Sequence, residues 1–147
     1  MVGGGPTIEA WTRGYRAAMV TIEEFASWAM GFPGVTEGTR WGNRTWMVGK
    51  QAFAWERPFR KADIERFGGE PVPSGAIVAL RVEDLGEKEA VLAAGRKGFF
   101  TIPHFDGHAA VLVQLSAAGK RHLREALEDA WLCSAPEALV QQYLSSR

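Results

Sequence analysis

Seven residues, Ala76-Ile77-Val78-Ala79-Leu80-Arg81-Val82, form a nearly continuous apolar run. The run has strand length and does not alternate, so it predicts a central strand covered on both faces inside a sheet. At 147 residues, 46% of them hydrophobic, the chain is long enough for one substantial core and too short for two full domains.

The segments around this strand supply its neighbours. Thr45-Trp46-Met47-Val48 and Ala52-Phe53-Ala54-Trp55 are β-rich runs flanking Gly49-Lys50-Gln51, the spacing of a hairpin with a short loop. Phe99-Phe100-Thr101-Ile102 and Ala110-Val111-Leu112-Val113-Gln114-Leu115 read as two more strands, with Gly107 permitting the turn between them.

Helices fill the rest. Thr21 and Glu24 form a capping box ahead of Ile22, Phe25, Ala26 and Ala29 at helical spacing, and Gly31 and Pro33 stop that helix. Asp84 and Glu87 cap a helix through Ala94. Ser116 opens a long amphipathic helix carrying Leu123, Ala126, Leu127, Ala130 and Trp131, and Ser134, Pro136 and Glu137 cap a short final one. Residues 57–75, with their prolines and the Gly68-Gly69 pair, form a long connection holding a weak helical signal over residues 61–67. The order of elements predicts an α+β domain over residues 19–147, a largely antiparallel sheet with helices packed on one side. Residues 1–18, with Gly3-Gly4-Gly5-Pro6 and no apolar core of a secretory signal, read as a weakly structured extension.

Charge and cysteine content narrow the partners. Seventeen Lys plus Arg balance 17 Asp plus Glu, so a nucleic-acid site has to be a local patch. The single cysteine, Cys133, suits a reducing, cytoplasmic setting, and no apolar run reaches the roughly 18 residues of a membrane helix.

A set of short motifs then falls in order along the chain. Phe32-Pro33-Gly34-Val35-Thr36-Glu37-Gly38, Trp41-Gly42, Val48-Gly49-Lys50 and Phe53-Ala54-Trp55 occupy the first half. Arg81-Val82-Glu83-Asp84-Leu85, Phe99-Phe100-Thr101, Pro103-His104-Phe105-Asp106-Gly107, Ala130-Trp131 and Ala135-Pro136 occupy the second. Together they resemble the MmcQ/YjbR-like family from about residue 21 to residue 144. The resemblance implies a CyaY-like fold, a small cytoplasmic bacterial protein and a DNA-binding role, and it implies no enzymatic activity. Two positions depart from the family pattern: Glu137 stands where a lysine is frequent, which weakens a basic C-terminal surface, and His108 where an aromatic is common.

The residues themselves offer one local patch. Arg40, Arg44, Lys50, Arg57, Arg60, Lys61 and Arg66 outnumber the acids between them and interleave with Trp41, Trp46, Trp55 and Phe59. Arginines bridge phosphates and aromatics stack on bases, so Arg40, Trp41, Arg44, Arg57, Arg60 and Lys61 are the candidate DNA contacts. The competing view is a hairpin whose tryptophans fill the core and whose arginines are solvated.

Other chemistry is sparse. His104 and His108 with Asp106 between them would suit a metal on a helix, but Pro103 and Gly107 argue against a helix, and no metal or cofactor is expected. Frataxin-like iron binding needs an acidic ridge, and the first helix offers only Glu23 and Glu24. Cys133 reads as an inert, partly buried thiol, and P-loop, GxGxxG, GxSxG and zinc-deaminase motifs are missing. The leading expectation is a non-catalytic binding domain. A second is a protein- or small-ligand-binding module with a pocket bordered by residues 57–75 and residues 103–107, favoured by an apolar cleft beside His104. A third, an enzyme, requires titratable groups to converge, for example Glu37, His104 and Asp106.

Overall fold

The computed structural model describes residues 19–147, and the extension expected over residues 1–18 lies outside the described residues. The first helix, α1 (Ile22–Met30), begins where the Thr21 hydroxyl accepts the Glu24 amide at 3.1 Å. The Glu24 carboxylate does not complete a capping box; it pairs with Lys120 at 2.8 Å, tying α1 to a later helix.

Three strands follow as two hairpins: β1 (Val35–Arg40), β2 (Asn43–Val48) and β3 (Gln51–Glu56). The expected hairpin is the β2–β3 pair, turning at Gly49-Lys50 with Gly49 at φ 60°. β1 was not among the expected strands. It is a polar edge strand exposed at four of its six positions, so it lacks the apolar signal that betrays β2 and β3. A short helix, α2 (Lys61–Arg66), sits in the long connection, and β4 (Ile77–Arg81) follows.

The second half contains α3 (Leu85–Ala93), capped by Asp84 accepting the Glu87 amide, then β5 (Phe99–Phe100), a 3-10 turn at Pro103–Phe105, β6 (Ala110–Gln114), α4 (Lys120–Leu132) and α5 (Glu137–Ser145). The long helix starts at Lys120 rather than at Ser116, because the residues before it form a turn in which Ala117 and Ala118 bond back to Gln114. The strand expected over residues 99–102 is only two residues long.

All six strands join one antiparallel sheet in the order β1-β2-β3-β4-β6-β5. β4 lies inside it and is covered on both faces, as its unbroken apolar run requires. Val78 and Leu80 point to a helical layer with Phe25, Trp46, Leu123, Leu127 and Trp131. Ile77 and Ala79 point the other way, into a smaller cluster with Leu112, Ile102 and Phe105, partly covered by Trp55, Phe59 and Phe67. One face thus carries α1, α3, α4 and α5, and among the described residues the other is roofed only in part, by α2, the connection and the 3-10 turn. The incomplete roof leaves room for a site.

Candidate functional site

On the partly roofed face, a cleft of about 450 Å³ opens between the β1–β2 hairpin tip, β3, the start of the connection and the 3-10 turn. Asn43 and Thr45 of β2 face it by strand alternation, and a bulge in the β2–β3 pairing brings Ala52 and Trp55 of β3 to the same side, while Trp46 and Ala54 face the helices. Arg40 and Trp41 at the tip, Arg57 and Arg60 from the connection, and His104, Phe105 and His108 complete the walls.

Trp41 stands out within this set. It is the first residue of a two-residue turn, Trp41-Gly42, in which both residues have positive φ, 56° and 79°. Such turns favour glycine and asparagine, and a bulky side chain there is strained. The residue is 88% exposed, so no packing within the described residues compensates. The Asn43 side-chain amide donates to the Trp41 carbonyl at 3.3 Å and holds the turn in shape.

Arg57 is the opposite case, a charged residue only 4% exposed. Its Nη1 meets Asp63 Oδ2 at 3.0 Å and donates to the Pro58 carbonyl at 2.6 Å, and its guanidinium lies 5.5 Å from the Phe105 ring centroid. Its Nη2 is buried with no hydrogen-bond partner among the described residues. Asp63 is also buried, and it accepts the Arg60 amide at 2.9 Å at the start of α2. Burial by itself would raise the Asp63 carboxyl, but the Arg60 amide and the Arg57 guanidinium outweigh it and hold it below the usual range. Among the described residues, no carboxylate lines the cleft.

The far wall is fixed by a residue that the sequence did not single out. Lys88, on α3, is buried and donates from Nζ to the carbonyls of Phe105 at 2.6 Å and His108 at 2.9 Å. Burial pushes its amine down, with the Asp106 charge acting in the other direction. The lysine pins the 103–108 segment so that the His104 and His108 rings lie nearly parallel, 10° apart in plane with centroids 6.4 Å apart. Nothing in the sequence pairs Lys88 with carbonyls 17 and 20 residues away.

Of the residues expected to contact DNA, Arg40, Trp41, Arg57 and Arg60 gather at the cleft, whereas Lys61 is exposed outside its lining and Arg44 belongs elsewhere. Arg44 points to the helical face, where it pairs with Glu23 at 2.6 Å, Glu37 at 3.0 Å and Glu56 at 3.8 Å and lies over the Trp46 ring. Strand alternation explains this, since Arg44 and Trp46 share a face opposite to Asn43 and Thr45. The trio Glu37, His104 and Asp106 does not assemble. Glu37 accepts Arg44 and the Trp46 indole N–H at 3.0 Å on the helical face, its carboxyl lowered first by the Arg44 bond, and Asp106 is exposed outside the cleft lining. His104 alone of the three lines the cleft.

Two further sequence features have settled positions. Cys133 is half-buried, its thiol within 3.4 Å of the Ala130 carbonyl and pushed up by burial. Among the described residues, no group of three or more His, Cys, Asp or Glu side chains could hold a metal, and no helix is long and apolar enough to cross a membrane.

Comparison with known proteins places this architecture. The uncharacterized protein Rv2570 of Mycobacterium tuberculosis is 50% identical over 104 residues, covering 69% of this chain and 80% of that protein, and the uncharacterized protein Mb2600 of Mycobacterium bovis matches to the same extent. The crystal structure of Deinococcus radiodurans protein DR2400, which carries a DUF419 domain, aligns with a TM-score of 0.57 at 16% identity over 85% of this chain and 88% of its own, a likeness of fold. The YjbR family matches residues 30–133, from the end of α1 through α4 and so across the whole sheet and cleft, and the chain belongs to that family.

Proposed function

We propose that this chain is a non-catalytic binding protein whose cleft takes a small anionic ligand. The observation that carries the proposal is Arg57: a buried guanidinium in the cleft wall with one nitrogen lacking an acceptor. Leaving such a donor unmade costs about 1–3 kcal/mol, and a carboxylate or phosphate oxygen admitted by a shift of the cleft wall would supply the missing acceptor with a charge-assisted bond. Arg40, Arg60, His104 and His108 add donors around it, and the described lining itself carries no carboxylate, Asp63 being paired with Arg57. The cleft volume lies within the roughly 300–1,000 Å³ of small-ligand sites.

Binding is favoured over catalysis because, among the described residues, the lining holds no nucleophile paired with a base. The Thr45 hydroxyl donates to the Asn43 carbonyl at 3.1 Å, and Asp63 is committed to Arg57 and Arg60. A lone half-buried cysteine suits a cytoplasmic setting.

A second reading, contact with single-stranded nucleic acid at the cleft mouth, is favoured by the exposed Trp41 flanked by Arg40. Duplex DNA is less well served, since Arg44 is held by carboxylates and Arg57 is buried.

Calorimetric titration with inorganic phosphate and with acetate tests the first reading. Saturable binding that weakens with salt and falls about tenfold in an Arg40→Gln/Arg60→Gln variant is expected. No binding of either anion at millimolar concentration would refute it. Anisotropy with labelled single- and double-stranded DNA at two salt concentrations decides the second reading through its salt slope.

A further inference from the structure

We infer that the ligand of this cleft is a phosphate ester of a planar aromatic group, of nucleoside monophosphate size, with its ring against Trp41 and its phosphate at Arg57. The inference rests on the anion-binding reading and specifies what else the ligand carries.

The cleft is larger than an anion needs. A phosphate at Arg57, Arg60 and His104 would fill only part of about 450 Å³, and the rest of the lining sets Trp41, Trp55, Phe105 and Ala52 beside Arg40, Asn43, Thr45 and His108. Apolar surface beside cationic and polar groups suits a ligand with an apolar, flat body and an anionic tail.

Trp41 identifies the body as planar. A tryptophan with φ 56° in a tight turn incurs backbone strain, and the residue stays 88% exposed. The turn itself is held, since Asn43 donates to the Trp41 carbonyl, so the ring is presented from a fixed backbone at the cleft rim. An exposed indole on a fixed turn is a stacking platform, and stacking discriminates rings from non-rings while tolerating differences among bases. Phe105, by contrast, is 6% exposed and already faces the Arg57 guanidinium.

The test is a calorimetric panel of adenosine, cytidine and uridine monophosphates, ribose 5-phosphate and adenosine, on the wild-type chain and on Trp41→Ala and Trp41→Phe. The expected result is that the monophosphates bind at least tenfold tighter than either ribose 5-phosphate or adenosine. Trp41→Ala should weaken them roughly 5- to 150-fold, the range for losing one base–aromatic stack, with Trp41→Phe recovering most of the loss. Because Trp41 is exposed, the fold should persist in both variants, and circular dichroism verifies this. Ribose 5-phosphate binding as tightly as the monophosphates, or no effect of Trp41→Ala, would overturn the inference and leave the anion site standing. Absence of binding by every phosphate in the panel would overturn both. Tight binding of single-stranded oligonucleotides with no measurable monophosphate affinity would overturn the inference in favour of a nucleic-acid partner.

Discussion

Removal of the Asp63 carboxylate isolates the buried charge on which the cleft is built. The Arg57 and Asp63 side chains are 5% and 2% exposed and 3.0 Å apart, so neither can turn to water when the other is lost. Asp63→Ala leaves the guanidinium with the Pro58 carbonyl as its remaining acceptor and also strips the Arg60 amide of its partner at the start of α2. Breaking a buried pair from one side costs about 3–5 kcal/mol, because the surviving charge stays desolvated. For a chain of this size that corresponds to a fall of about 10–15 °C in Tm. Asp63→Asn keeps an acceptor for the Arg60 amide and loses only the charge, so it should be less severe. Replacing both partners, Arg57→Met with Asp63→Leu, removes the stranded charge and should recover most of the loss. Urea unfolding followed by circular dichroism measures all three variants. Phosphate should stabilise Asp63→Asn more than wild type, since the added anion can stand in for the missing carboxylate. A loss below about 1 kcal/mol in Asp63→Ala would refute the reasoning, because that is how a solvent-screened surface pair behaves.

Three other outcomes follow from the same geometry. Trp41→Gly should raise stability by about 1 kcal/mol by relieving the left-handed backbone while abolishing the stacking platform, and a lower urea midpoint would show that the indole packs on something. Lys88→Met should cost about 2–3 kcal/mol and speed amide exchange in residues 103–108, because two buried carbonyls lose their donor; unchanged exchange there would remove its role as the clamp of that wall. Asp63 and Glu37 both have carboxyls lowered in the folded chain, so their stabilisation is complete above the ordinary carboxylate range and is lost as pH falls through the lower folded values. The acid-induced fall in urea midpoint should therefore be smaller in Asp63→Asn than in wild type, and equal slopes would contradict it.

The elements legible in the sequence were those whose signals are local. The unbroken run over residues 76–82 announced a two-sided strand, and Gly49-Lys50 between β-rich runs announced the hairpin. β1 escaped because an edge strand such as Val-Thr-Glu-Gly-Thr-Arg needs no apolar face of its own. Within the site, Arg40, Trp41, Arg57 and Arg60 were recognisable as a basic and aromatic cluster, and a cleft beside His104 was an expected alternative. Which arginines face the cleft was not legible without the register: Arg44 differs from Arg40 only in pointing to the other side of the sheet, where three carboxylates hold it. Lys88 was invisible because a lysine on a helix reads as solvated until the carbonyls above it are known.

The most direct test of the cleft as the ligand site is a nuclear magnetic resonance titration with adenosine monophosphate, following arginine Nε–H and tryptophan indole N–H signals together. Saturable shifts at Arg57, Trp41 and Trp55, with Arg44 and Trp46 unmoved, are the predicted result, because only the first three line the cleft. Shifts confined to Arg44 and Trp46, or no saturable shift at any of the five, would contradict the account.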